Sequence, residues 1–317
     1  MPDRTPIWRR WKRGTRSRAS CAPSPGRSPV ADRLPIVVDG VLREDGRVDV
    51  LALGGGLNTG EGLFETLPVV AQRPHFFDRH VARITEGARE LGLLPAPTPE
   101  VWRADLDRLG RAAPTLDLAV RLLLFRDGER VRRIVAGNAL DLGPQAPARI
   151  DRAAPGLDGP RPLAHLKTLN YLGPRRAHAE GRTRGLDEVL FVLDDGRVLE
   201  GSRSTVFLVR DGVLHTPPLT LPILPGVTRA VLLEEARGAG IPVTERGFTL
   251  PELQEADEVF LSASLRGVRP VASVCGTALP ARPGPLTLRI RGLYVRRVAA
   301  AGGEPQNGVD TSRRASP

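Results

Sequence analysis

Lysine is almost missing from this sequence. Of its 46 basic side chains two are lysines, Lys12 and Lys167, and the other 44 are arginines. Where only a positive charge is needed the chain uses arginine, so a lysine kept in its body asks for a chemical reason. A guanidinium stays charged and delocalised and cannot form an imine, whereas a deprotonated primary amine can. A leftover surface lysine fits the same count, and the surroundings of Lys167 decide.

Cysteine is scarce as well: Cys21 and Cys275 stand far apart. They build no disulfide framework, and a reducing cytoplasm is the expected compartment. No apolar run approaches the length that spans a bilayer. The Arg-rich N-terminus has no apolar segment behind it, so no secretory signal is expected either. With 317 residues, 41% hydrophobic and 26% charged, the composition is that of a soluble globular chain of one large or two modest domains. The formal charge of +10 is unevenly spread. Residues 1–33 carry nine basic side chains against Asp3 and Asp32, a net +7, which leaves +3 for residues 34–317. A tail rich in Pro, Ser and Arg cannot build a core. Contact with RNA or anionic lipid fits its charge, but a solvated extension fits its composition better, and no nucleic-acid module is recognised in the rest.

Residues 34–53 alternate apolar and polar around a turn at Glu44–Arg47 and predict two antiparallel strands. A glycine cluster, Gly54 to Gly56, then leads into Gly60-Glu61-Gly62-Leu63-Phe64-Glu65-Thr66-Leu67. Asp78 is placed as the cap of a helix to about Leu91, with Val81, Ile84, Ala88 and Leu91 on one face. Glu100–Ala112 predicts a second helix, and Leu118–Phe125 with Arg130–Ala136 a hairpin. Residues 137–160, rich in Pro, Gly and Asp, are the best boundary. They divide an N-terminal α+β domain, 34–145, from a C-terminal α+β domain, 161–299, through a linker at 146–160. In the second half a helix runs to about Glu180, and strands at Asp187–Leu193 and Val198–Val209 join at Asp194-Asp195-Gly196. A helix at Arg229–Ala239, a strand at Pro242–Glu245, a short helix at Pro251–Glu255 and a strand at Glu258–Leu261 follow. Leu286–Ala299 predicts a strand or helix packed on the core. The tails, 1–33 and 300–317, are expected to be disordered.

Four features of the second half belong together. A lone lysine follows the boundary loop, and Glu200 ends a strand of the hairpin. Pro225-Gly226-Val227-Thr228 opens a helix with backbone N–H groups and a hydroxyl suited to an anion. Ser262-Ala263-Ser264 can offer further donors. An imine-forming lysine, a buried acid and a phosphate cradle are what pyridoxal 5′-phosphate (PLP) needs, and no metal site is called for. Singly each is weak, since a helix opened by Pro and Thr is usually just a well-capped helix.

Their order strengthens them. Gly60-x-Gly-x-Phe-Glu-Thr, His80-x-x-Arg83, Lys167-x-x-Asn-Tyr, Glu200-Gly-x-x-Ser-Thr, Thr216-Pro, Leu224-Pro-Gly-x-Thr-Arg and the Phe260–Pro270 segment follow one another. The set, over roughly residues 36–295, resembles the class IV aminotransferases, which include branched-chain and D-amino acid aminotransferases and 4-amino-4-deoxychorismate lyase. The resemblance implies the α+β, two-domain fold of fold type IV PLP enzymes, with mostly antiparallel sheets, and a homodimer. It implies that Lys167 binds PLP covalently and moves the Cα proton, and that Glu200 holds the pyridine nitrogen. Arg83, the Val227 backbone, Thr228 and Ser264 would bind the phosphate, and Tyr171 the phenolic oxygen. Thr205 and Ser264 stand where the family often has Asn and Thr.

The substrate side is less plain. Arg121 stands where branched-chain enzymes have a strand arginine, but Leu122 replaces their proline and Thr59 an aromatic residue. Arg126 resembles the carboxylate-binding arginine of the D-amino acid enzymes, though Phe64 replaces their tyrosine. Alternation puts Arg121 and Arg126 on opposite faces of a regular strand, so both reach one site only if the strand bends or ends between them. Either arginine can equally be structural. Two cations would suit the dicarboxylate aminodeoxychorismate, and chain length with the Lys-Thr-Leu-Asn and Ser-Thr-Val wording also favours the lyase. The expectation is therefore a lyase releasing 4-aminobenzoate and pyruvate. The alternative is a branched-chain or D-amino acid transaminase with 2-oxoglutarate as acceptor. An intact lysine, glutamate and phosphate set argues against a non-catalytic PLP-binding protein.

Overall fold

The computed structural model describes residues 34–301 apart from 142, 144 and 281. The expected tails at 1–33 and 302–317 lie outside the described residues.

The first half is built on one sheet. In chain order come β1 (Ile36–Val38), β2 (Val41–Arg43), α1 (Gly55–Asn58), β3 (Gly62–Val70), β4 (Arg73–Pro74), α2 (Phe77–Glu90), α3 (Pro99–Ala112), β5 (Leu118–Asp127) and β6 (Arg130–Ala139). The strand order is β2-β1-β6-β5-β3-β4, antiparallel throughout. The first hairpin turns at Asp39-Gly40, not at Glu44–Arg47. Both residues have positive φ, +49° and +88°, as an Asp-Gly type I′ turn requires. Helix α2 begins after Phe76, which is left-handed, so Asp78 sits in the first turn and is not the cap. Strand alternation then decides what each face buries. Leu118, Val120, Leu122 and Leu124 of β5 and Leu63, Leu67 and Val69 of β3 pack under α2 and α3, with Trp102 fully enclosed. Each such side chain contributes roughly 1.5–3 kcal/mol.

The second half holds β7 (Ala148–Arg152), α4 (Leu172–Thr183), β8 (Glu188–Val192), β9 (Val198–Gly201), β10 (Thr205–Arg210) and β11 (Val213–Thr216). It continues with α5 (Val227–Gly238), β12 (Val243–Glu245), α6 (Leu250–Gln254), β13 (Glu258–Ala263), β14 (Gly267–Val274), β15 (Thr277–Ala278) and α7 (Pro285–Ala301). Their order is β12-β11-β10-β13-β14-β7-β8-β9, with β15 beside β14. The pairs β11–β12, β14–β7 and β7–β8 are parallel and the others antiparallel. Strand β9 returns to β10 through a turn in which Gly201 N–H donates to Ser204 O at 2.7 Å, so the sheet curls back on itself. Its interior holds Ile150, Leu190, Val206, Leu208, Val271 and Val274. On its outside α5 and α7 cover Phe207 and Phe260, whose rings stack at 4.7 Å. Residues 148–152, expected within the linker, form β7 instead, with Ala148 and Ile150 fully buried. Proline and glycine on both sides hid a five-residue strand. The stretch left open between strand and helix is the helix α7.

Candidate active site

Lys167 is brought to the first sheet by its own backbone. Phe64 N–H donates to Lys167 O at 2.8 Å and Leu169 N–H to Gly62 O at 2.9 Å, with Leu63 bridged to Thr168. Residues 167–169 thus lie along the edge of β3 as a short extra strand. Glycine at position 62 makes this approach possible. A Cβ there would stand 2.6 Å from Leu169 Cδ1 and 2.7 Å from Phe125 Cβ, closer than atoms can pack.

The half-buried Lys167 amine lies 4.4 Å from the centre of the Phe64 ring and 5.0 Å from that of Tyr171. The two rings meet edge to face at 5.2 Å. Burial pushes the ammonium down to about 8, with Arg83 and Arg161 adding to the fall and Glu65 and Glu200 opposing it. Tyr171 is pushed up to about 12 by the same burial. Glu200 is buried, and burial raises its carboxyl while Arg161 works against the rise. One oxygen accepts from the Arg161 guanidinium, and the other from Leu224 N–H at 3.2 Å. The Arg161 guanidinium also lies over Tyr171, 5.4 Å from the ring centre. Sequence reasoning missed Arg161. It sits just beyond the Pro- and Gly-rich boundary, with no periodicity to single it out.

Leu224 leads to the start of α5. Gly226 is the N-cap and no side chain caps the helix, so its first N–H groups find no partner within it. Thr228 Oγ1 and Ser262 Oγ are buried without a hydrogen-bond partner. The Tyr294 hydroxyl of α7 lies close enough to Thr228 to feel it, but the two do not meet in hydrogen-bond geometry. Ser262 stands directly across the ladder from Thr205. A Cβ on Gly226 would come within 3.1 Å of Thr205 Oγ1. Glycine therefore leaves hydroxyls and a helix N-terminus facing one cradle. Each orphaned hydroxyl costs about 1–3 kcal/mol. A bound phosphate would relieve that cost, so the residues fit the expected cofactor. Ser264 lies half-buried in the next turn, two residues beyond the orphaned hydroxyl.

Arg83 is more constrained than its motif suggests. Its Nε and Nη2 donate to the two oxygens of Glu65 at 2.7 and 2.8 Å, and its Nη1 donates to Pro225 O at 2.7 Å. Glu65 is fully buried and also accepts from His80 Nδ1 at 2.7 Å. Burial alone would raise Glu65, but Arg83 and His80 hold it at about 2.

The two arginines expected on the substrate side are parted. Strand β5 runs in register with β6 from Leu118 to Asp127 without a shift, so alternation holds throughout. Arg121 shares the face of Phe64 and lies 5.4 Å from its ring centre. Arg126 points the other way. It donates to Glu61 Oε1 at 3.1 Å and to Gly92 O at 2.7 Å, past the end of α2. The expectation that both serve one site fails because the strand neither bends nor ends between them.

A family model described as Amino-transferase class IV matches residues 62–274. The chain is 30% identical over 273 residues to the bifunctional aminodeoxychorismate lyase / D-amino acid transaminase of Mycobacterium tuberculosis, covering 78% of this chain and 93% of that one. A branched-chain aminotransferase from Thermoproteus uzoniensis, solved with norvaline, superposes with a TM-score of 0.79 at 27% identity over 86% of this chain and 96% of that one. The PLP-bound form of a hypothetical aminotransferase from Mycobacterium tuberculosis gives 0.75 at 28%, over 84% and 99%. The match extends from the strand that Lys167 joins to the sheet beside the phosphate cradle, and the chain belongs to the class IV aminotransferase family.

Proposed function

We propose that this enzyme binds PLP through Lys167 and takes the Cα proton from a small carboxylate-bearing amine, with transamination of an amino acid as the outcome. The observation that carries the reading is the Lys167 amine, held near 8 between two aromatic rings and beside a buried glutamate. When bound, PLP supplies an aldehyde for the amine and a ring that accepts the electrons left at Cα. The protein's residues do the rest. Lys167 carries the Cα proton, because an amine near 8 is poised to take and return it at neutral pH. Glu200 would hold the ring nitrogen and Tyr171 the phenolic oxygen. Arg83, the Val227 backbone, Thr228 and Ser264 would hold the phosphate, joined by Ser262. Arg121, on the Phe64 face, would take the substrate carboxylate.

Arg121 on that face without Arg126 beside it supports an amino acid with one recognised carboxylate over the dicarboxylate expected at first. The second reading, cleavage of aminodeoxychorismate to 4-aminobenzoate and pyruvate, is favoured by the bifunctional mycobacterial relative. A homodimer belongs to the same reading, since exposed Leu51, Leu53 and Leu57 are surface that an interface would cover. So does a cytoplasmic location. Among the described residues no helix is long and apolar enough to cross a membrane. The test is to incubate PLP-loaded protein with L- and D-amino acids plus 2-oxoglutarate and, separately, with aminodeoxychorismate. Rapid keto-acid formation supports transamination. Formation of 4-aminobenzoate and pyruvate without it replaces that reading with the lyase.

A further inference from the structure

The buried Glu65 is the one carboxylate near Lys167 to which the proposed function gives no task. It sits on β3, next to the ring-bearing Phe64, and its two oxygens receive three donors, two from Arg83 and one from His80. An ionised carboxylate only accepts, so the His80 proton in this bond must be on Nδ1. His80 and Arg83 are three residues apart on α2 and therefore share the face turned to β3. The carboxylate thus fixes the guanidinium plane through a two-pronged contact, and His80 fixes the carboxylate. Of the five N–H groups of Arg83, two are spent on Glu65 and one on Pro225 O. Two stay free, on a guanidinium held beside the residue that precedes the N-cap of α5. A cavity of about 10 Å³, bordered by Glu65, Arg83 and Lys167, leaves room for no more than one water there. Without its clamp, an arginine on a flexible side chain would have several rotamers open to it.

We propose that Glu65 is a positioning residue for the phosphate: it holds Arg83, through the fork and with His80 behind it, in the one pose that presents free N–H groups to the start of α5. The proposal rests on the reading of this site as a PLP site. It separates from a merely structural role by ligand. If Glu65 acts through Arg83 on the phosphate, its loss weakens PLP relative to pyridoxal, which has the same aldehyde and ring but no phosphate. If Glu65 only braces the fold, both aldehydes suffer alike.

The experiment measures dissociation constants for PLP and for pyridoxal from the imine absorbance of the purified full chain, confirmed by borohydride trapping. The wild-type protein must first form the imine with PLP. If it forms none, the PLP reading falls and takes this proposal with it. In Glu65→Gln the preference for PLP over pyridoxal is expected to fall about tenfold or more, the effect of misplacing a charge-assisted contact, while any change at the Lys167 amine, which Glu65 also influences, is shared by both aldehydes and cancels in the ratio. In an Arg83→Met background the same substitution should change the preference no further, because the residue it positions is gone. Should Glu65→Gln not fold, His80→Phe leaves both charges in place, removes one of the two donors to Glu65 Oε2, and should lower the preference about threefold in the same sense. An unchanged preference, equal losses for both aldehydes, or a full effect of Glu65→Gln without Arg83 overturns the proposal.

Discussion

Replacing Arg121 and Arg126 in turn by methionine tests the placement of the substrate. Methionine keeps the length of the stem and removes the charge, so packing changes little. A charge-assisted contact to a carboxylate is worth about 1.5–3 kcal/mol, or roughly 10- to 150-fold in affinity. Arg121 is exposed, so water competes with its partner and the low end applies. Arg121→Met is therefore expected to raise KM for the amino acid about tenfold. Arg126 is engaged elsewhere. Its partner Glu61 is 40% exposed and the pair is worth less than about 1 kcal/mol, with about 1 kcal/mol more from the bond to Gly92 O. Arg126→Met should lower the urea midpoint slightly and leave KM within about twofold. Steady-state kinetics over a range of amino acid concentrations, together with urea melts, read both effects. A rise in KM for Arg126→Met as large as that for Arg121→Met would refute the reasoning. It would mean that Arg126 leaves Glu61 to meet the substrate, and would revive the case for a dicarboxylate.

Three other outcomes are expected. Lys167→Ala should lose the imine absorbance, borohydride-trapped cofactor and activity together; a variant still carrying imine-linked cofactor would remove the central claim. The Lys167 ammonium lies near 8, below its ordinary 10.5, and only the free amine attacks an aldehyde. At pH 7 about one-tenth of it is free, and the rate of PLP capture should rise with pH through a midpoint near 8. A midpoint near 10.5 in stopped-flow absorbance would contradict the burial argument. Gly62→Ala should destabilise the protein by about 1–3 kcal/mol, because the added Cβ pushes residues 167–169 off β3. It should also weaken PLP binding, and wild-type values for both would show that the edge pairing does not hold Lys167.

Much of the site was legible along the chain. Arginine usage singled out Lys167, and motif order placed Glu200, Val227 and Thr228. The Asp-Asp-Gly turn, with Gly196 at φ +88°, is a local signal that a sequence carries by itself. Other features were less visible because they arise from contacts distant in sequence. The Glu65–Arg83 pair joins β3 to α2, Arg161 reaches Glu200 across 39 positions, and β7 owes its burial to neighbours at 188–190 and 271–274. The Asp39-Gly40 turn is also a local signal, but the apolar–polar alternation of 34–53 runs on past it and does not mark where the chain reverses.

By itself the sequence determined the chemistry available: one lysine amine among residues 34–301 that can form an imine, an acid at a strand end, and a helix opened by glycine and threonine. Those are properties of side-chain types and local periodicity, and they need no partner to be read. Only the tertiary structure decided which groups face one another. It placed Arg121 and Arg126 on opposite faces of an unbroken strand and spent most of one on Glu61 and Gly92. It also buried Glu65 where burial and a guanidinium compete. Strand register and desolvation depend on the whole fold, and they set which arginine faces Phe64 and which turns to Glu61 and Gly92.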